Sequence, residues 1–186
     1  MQLRRSNPSL LLMLGMSQFA LLLLAAESLY PGYSTSQNVI SDLGVGPQPS
    51  RLIFTASVIT LGVLALTAGL LYRSRPAYRW LAVALIVSGV GGIGLGIFNK
   101  DFHGVHFVFA FCGFFGGAMA AILAGQITTW PMSIISVTLG LISLGVLVLF
   151  GSGVYLGFGV GGMERMMFYP FMLWAVAFAG STLADW

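Results

Sequence analysis

The feature that most constrains this chain is a succession of apolar runs, each close to 20 residues long and almost free of charge. About 20 apolar residues in a helix cross the hydrocarbon core of a bilayer. Within that core every backbone amide must be satisfied inside a helix or a closed barrel. The runs are continuously apolar and lack the alternation of a barrel strand, which leaves helices. A sliding window of about 19 residues predicts spans over 10–30, 52–72, 80–98, 105–127, 132–150 and 163–183. Composition agrees: 58% of the 186 residues are apolar and 7% are charged, outside the range of water-soluble domains. The expected fold class is all-α, a polytopic membrane protein built as a six-transmembrane-helix bundle, with one domain over 1–186.

Two runs need comment. Arg4 and Arg5 before the first leucine-rich run imitate a signal peptide, but the run exceeds the ~7–15 residues of a signal h-region and is read as a membrane helix. Pro170 falls inside the sixth run, where it either kinks the helix or marks its first turn. The lone Cys112 has no partner, so no disulfide framework exists. A net charge of +3, dispersed along the chain, is too little for a nucleic-acid binder. No charge lies near the middle of any span, which argues against an ion-coupled transporter.

An even number of spans puts both termini on one side. That side collects Arg4, Arg5, Arg73, Arg75 and Arg79, whereas the other holds Arg51, Lys100 and Arg165. The bias of Lys and Arg toward inner loops predicts cytoplasmic termini in the plasma membrane. Glu27, Asp42, Asp101, Glu164 and both histidines then lie on the outer side.

Small residues suggest how the helices pack. Gly113, Gly117, Ala121 and Gly125 repeat every fourth position in the fourth span, and Ser88, Gly92 and Gly96 do so in the third. Such ladders let backbones approach closely, so these two spans are expected to cross face to face as the closest pair. The same faces could instead recruit a second copy or another membrane protein. Gly89, Gly91 and Gly94 also spell a GxGxxG, but no strand precedes it and it lies mid-span, so it is not a nucleotide signature.

Polar residues concentrate in the outer connections. The loop from Pro31 to Arg51 is rich in turn formers and is expected to lie over the outer mouth as a lid. Within it, "NVISDLG" offers Asn38, Ser41 and Asp42; as ordinary turn chemistry, Asp42 would bond backbone amides and Ser50 would cap the second helix. The turn "GIFNKDFHGVHF" supplies Asn99, Lys100, Asp101, His103 and His106. The last outer loop, "GSGVYLGFGVGGMER", reads as a flexible connector followed by a surface ion pair of Glu164 and Arg165. Tyr30, Tyr33, Trp80, Trp130, Tyr155, Tyr169 and Trp186 near the span ends read as interfacial anchors.

Three kinds of chemistry fit this rim. Asp42, His106 and Glu164, with Asn38, Ser41, Asn99 and Arg165, could bind a lipid headgroup. Asp42, Asp101 and His106 could serve as catalytic groups in acid–base work. Asp101, His103 and His106, spaced Asp-x-His-x-x-His, could ligate a divalent metal such as zinc, which would activate water against a lipid ester.

"NVISDLGVGPQPSRLIF", "GIFNKDFHGVHFVFAFCGFFGGAMA" and "GMERMMFYPFMLW", in that order, resemble the six-helix prokaryotic membrane family catalogued as domain of unknown function 998. The chain is more distantly similar to the eukaryotic Frag1/DRAM/Sfk1 six-helix proteins, through Ser41-Asp42, Phe98-Asn99 and His106 opening a small-residue helix. That second resemblance implies a role with membrane lipids and favours His106 over His103 as the functional histidine. Three functions follow as expectations. The first is a lipid-binding or lipid-organising protein. The second is a membrane-embedded lipid hydrolase or acyl-transfer enzyme, with or without metal. The third is a structural subunit for other membrane proteins.

Overall fold

The computed structural model describes residues 7–186. Arg4 and Arg5, which enter the orientation argument, lie outside the described residues. Six long helices follow one another: α1 (Pro8–Ser28), α2 (Ser50–Tyr72), α3 (Arg79–Ile97), α4 (His103–Ala124), α5 (Met132–Gly151) and α6 (Gly159–Thr182). All six are long and apolar enough to cross a membrane, and no strand occurs among the described residues. The chain is a multi-pass, all-α membrane protein.

Local chemistry sets the helix ends. Asn7 caps α1 by accepting from the amides of Ser9 and Leu10, and Pro8 occupies the first turn, where its missing N–H costs nothing. Ser50 does not cap α2 as expected: it is already the first helical residue, and its hydroxyl is buried without a hydrogen-bond partner among the described residues. The α6 helix begins at Gly159, ahead of the expected 163, and runs through Pro170. Proline disturbs the helical ladder around it, and the amide of Phe171 donates to Ser143 Oγ of α5 at 3.2 Å. A neighbouring serine is a common remedy for a proline inside a membrane helix.

Each helix packs on the next, and α6 returns to α1, so the bundle closes as a ring with α6 also reaching α4. The glycines work differently from the ladders expected. The α3 helix is lined by small residues on two faces. A Cβ at Gly89 would lie 2.5 Å from the amide nitrogen of Leu66 on α2, and one at Gly91 would lie 2.3 Å from that of Gly113 on α4. Gly92 and Gly96 turn toward α2, where α3 makes its most extensive contact. Ser88 turns the other way and donates to the carbonyl of Gly113 at 2.9 Å.

The α4 ladder fans out in the same manner. Gly113 meets α3, Gly117 meets Phe171 of α6, and Gly125 meets Ser133 and Val137 of α5. A four-residue repeat drifts around a helix of 3.6 residues per turn, so one row of glycines serves several neighbours in turn. The neighbours these glycines serve are the chain's own helices.

The two ends of the bundle differ in chemistry. At the end that carries the termini, Ser9 Oγ bonds Tyr72 Oη at 2.9 Å and Thr182 Oγ1 at 2.8 Å, tying α1, α2 and α6 together. Arg75 donates to the carbonyl of Asp185 and stacks over Trp186. Midway, Phe19, Phe168 and Phe171 pack edge to face, and the indole of Trp174 donates to Ser136 Oγ at 3.1 Å. The other end carries Glu27, Asp42, Lys100, Asp101, Glu164 and Arg165.

Candidate functional site

The loop between α1 and α2 folds down onto α6 instead of standing off it. Residues Ile40–Val45 form a 3-10 turn whose Ile40 and Leu43 are buried in the core. Glycines in α6 make the approach possible. The Gly161 amide donates to the carbonyl of Ser36 at 3.0 Å, and a Cβ at Gly161 would lie 2.1 Å from the carbonyl oxygen of Asn38. Gly159, at φ +74, would collide with Ser36 in the same way. The glycine-rich stretch expected to be a flexible connector therefore supplies, in its last part, the seat of the loop.

Arg165 locks that seat. It is only 5% exposed. Its Nη1 donates to the carbonyls of Thr35, Asn38 and Gly161 at 2.9, 3.0 and 2.9 Å. Its Nη2 donates to Tyr33 Oη at 2.7 Å and pairs with the Glu27 carboxylate of α1. Tyr33 passes the contact on by donating to the carbonyl of Val39 at 3.0 Å. Burial pushes the Tyr33 phenol up to about 12, against the opposing pull of the Arg165 cation. The expected surface ion pair between Glu164 and Arg165 does not exist, because successive helical residues point in different directions and both are buried with other partners. Glu27 was the missed partner; its position as the one acid in the first apolar run is the signal that marks it.

Glu164 faces the other way, into the bundle. It is 6% exposed, and its Oε2 accepts the amide of Ile40. Among the described residues its Oε1 takes no hydrogen bond and the side chain joins no ion pair. Asp42, from the 3-10 turn, accepts from the Val39 amide at 3.1 Å and Asn38 Nδ2 at 3.2 Å, and pairs with Lys100. Asn38 in turn accepts from the Ser34 amide at 3.0 Å. These two residues hold the loop in shape, and the turn chemistry expected of Asp42 is observed.

The turn before α4 is divided between water and the bundle. Asn99 caps the short turn Lys100–Phe102 by accepting the Asp101 amide at 3.0 Å. Asp101 is exposed, and His103, also exposed, bonds the carbonyl of Asp101 through Nδ1 at 3.0 Å. His106 is half-buried, and its Nδ1 bonds the carbonyl of Phe98 at 2.8 Å. A carbonyl can only accept, so Nδ1 carries the proton and Nε2 of the neutral ring is an acceptor. Spacing on the sequence suggested one cluster of Asp101, His103 and His106; with α4 beginning at His103, the two histidines both border the groove described below, whereas Asp101 does not. No group of three or more His, Cys, Asp or Glu able to hold a metal forms among the described residues. Of Asp42, Asp101 and His106, the cavity and groove described next are lined by His106 and not by Asp42 or Asp101.

What does converge is a cavity. A space of about 70 Å³ in the bundle is lined by Met16, Phe19, Phe54, Leu61 and Phe171 along its length, with Ser41, His106 and Glu164 at its outer end. A wider groove of about 710 Å³ opens beside it between α4, α5 and α6, walled by Phe107, Phe111, Phe115, Leu144 and Val148. The two share Ser41, His106, Ala110, Phe114 and Glu164. The groove opens sideways, since its walls Phe107, Phe111 and Val148 are exposed on the flank of the bundle, whereas on their inner halves α4 and α5 touch through Gly125 and Gly140. Lys100 and His103 stand at the mouth of the groove. The result is an apolar slot with a short polar head, reached from the flank of the bundle.

Of the expected binding residues, Ser41, His106 and Glu164 line this slot, while Asn38, Asp42, Asn99 and Arg165 build the structure around it. No curated protein and no solved structure matches the chain. The family model described as "Protein of unknown function (DUF998)" matches residues 13–181, from the second turn of α1 almost to the end of α6 and across the loop, the turn and the slot just described, and the chain belongs to that family.

Proposed function

We propose that this protein binds or organises membrane lipids, holding a headgroup at the outer end of the slot and acyl chain along its apolar walls. The observation that carries this reading is the pairing of one polar head, formed by Ser41, His106 and Glu164, with an apolar groove that opens toward the bilayer. Ligand sites are usually apolar clefts with a few convergent polar groups, and here the cleft matches an amphiphile along its length. On this reading the protein sits in the plasma membrane with both termini cytoplasmic, in line with the sequence bias of Arg4, Arg5, Arg73, Arg75 and Arg79 to that side against Arg51, Lys100 and Arg165 to the other.

Ala110 lies where cavity and groove meet, so Ala110→Trp fills the slot without touching a polar residue. Native mass spectrometry of the parent, purified in mild detergent, should show retained phospholipid, and the variant should lose it at an unchanged melting temperature. Parent protein that carries no lipid would overturn the proposal. Orientation is checked by placing a cysteine at Gln37, which is exposed in the outer loop, in a Cys112→Ala background. An impermeant maleimide should label it in intact cells.

A further inference from the structure

We infer that the slot selects a lipid whose head is a primary ammonium, with the Glu164 carboxylate as its receptor. The inference rests on the lipid-binding reading and adds the chemistry of the headgroup. It starts from a charge imbalance. Two cations of the outer end that lie near the site are already engaged: Lys100 with Asp42 and Arg165 with Glu27. Glu164 has neither. It is 6% exposed, lines the slot and holds one backbone amide on Oε2, while Oε1 takes no donor among the described residues. A carboxyl buried in an apolar wall is ionised only when a positive partner or hydrogen-bond donors meet it, so an ammonium is the ligand that would hold Glu164 as a carboxylate.

The neighbouring groups ask for the same thing. His106 directs its Nδ1 proton at the carbonyl of Phe98, so its neutral ring offers the slot a lone pair. Ser41 adds a hydroxyl that can accept as well as donate. A ligand that both carries positive charge and donates several hydrogen bonds satisfies all three. A primary ammonium does so with three N–H donors. A quaternary ammonium has the charge but no donor, and a glycerol head has donors but no charge. Lys100 and His103, at the mouth of the groove, flank the place where the phosphate of such a lipid would lie, while its chains follow Phe107 and Phe111.

The test uses the whole purified protein equilibrated with vesicles containing equal mole fractions of phosphatidylethanolamine, phosphatidylcholine and phosphatidylglycerol, with retained lipid counted by native mass spectrometry. Phosphatidylethanolamine should be retained roughly tenfold over each of the others, and Glu164→Gln should abolish the preference while lipid is still carried. Equal retention of phosphatidylcholine would show that N–H donation is irrelevant; equal retention of phosphatidylglycerol would show that charge is. Either result, or a preference that persists in Glu164→Gln, overturns the inference and leaves the lipid-binding reading standing. Failure to retain any of the three lipids overturns that reading itself. If the variant does not fold, N-methylated phosphatidylethanolamines decide on the parent alone. Retention should fall as N–H groups are replaced, and a flat series overturns the inference.

Discussion

Glu27 at the outer end of α1 and Arg165 in the second turn of α6 form an ion pair across 138 residues of sequence, with side chains 12% and 7% exposed. The same guanidinium holds the loop carbonyls of Thr35 and Asn38 and that of Gly161 in α6, so the pair fastens the first helix, the loop and the last helix at one point. Removing one member of a buried pair strands the other and costs about 3–5 kcal/mol. Arg165→Met should therefore lower unfolding stability in detergent by about that amount. Glu27→Gln should cost less, because Tyr33 and the carbonyls of Thr35, Asn38 and Gly161 still receive the cation. Denaturant titration followed by tryptophan fluorescence compares the two; equal, small losses would place the lock elsewhere.

The contact of α3 with α4 is asymmetric in a way that mutation can read. A methyl at Gly91 would come within 2.3 Å of the Gly113 backbone, whereas one at Gly113 would come no nearer than 3.8 Å to anything. Gly91→Ala should cost about 1–3 kcal/mol through overpacking, and Gly113→Ala should stay within about 0.5 kcal/mol of the parent. Melting curves of the two variants, one methyl each, test the geometry directly. A similar cost for both would mean that the helices cross at a different depth.

Asp42 and Lys100 face each other but do not contribute equally. Lys100 is 41% exposed, and an ion pair of that kind is worth about 0–1 kcal/mol. Asp42 also accepts the Val39 amide and Asn38, so its loss unties the loop. Asp42→Ala should destabilise by about 1–3 kcal/mol and speed proteolysis between Pro31 and Pro49, while Lys100→Ala should leave the cleavage rate near that of the parent.

Tyr33 makes stability sensitive to alkali. Its phenol titrates at 10.0 in an unfolded chain and at about 12 in the fold, so the folded protein holds the proton more tightly. The corresponding stabilisation is complete below pH about 10 and is lost as the pH rises toward about 12. Tyr33→Phe should flatten that part of the stability profile relative to the parent, measured as melting temperature between pH 9 and pH 12. Parallel profiles would show that the phenol is not buried.

Much of this architecture could be read from the chain, and particular residues show where the reading stopped. Apolar run length alone located all six helices, since a membrane leaves a long apolar segment few alternatives. The gathering of acids at one end was legible in the sequence. Their pairing was not: Glu164 and Arg165 are adjacent in sequence yet point about 100° apart around α6, and the side-chain partners of Arg165 come from α1 and the first loop. The spacing of Asp101, His103 and His106 suggested a common ligand; His103 and His106 do border one groove, and Asp101 stays outside it because the turn before α4 leaves it in water. The Gly113 ladder was recognised as a packing surface but assigned to one partner, because a single repeat does not say which neighbours a helix has. His106 was the residue singled out, and it does line the slot. Its setting depended on the carbonyl of Phe98, which no side-chain pattern encodes.

The seating of the first loop on Gly159 and Gly161 closes the bundle from above, while the divergence of α4 from α5 leaves it open at the side. On the proposed lipid-binding reading, a ligand for Glu164 arrives from the leaflet. Partition into hydrocarbon would then act as a filter ahead of any binding step, disfavouring a small water-soluble amine even where its charge fits. Within a leaflet, solutes are confined to a thin sheet at high local abundance, so modest affinity is enough to keep such a slot filled.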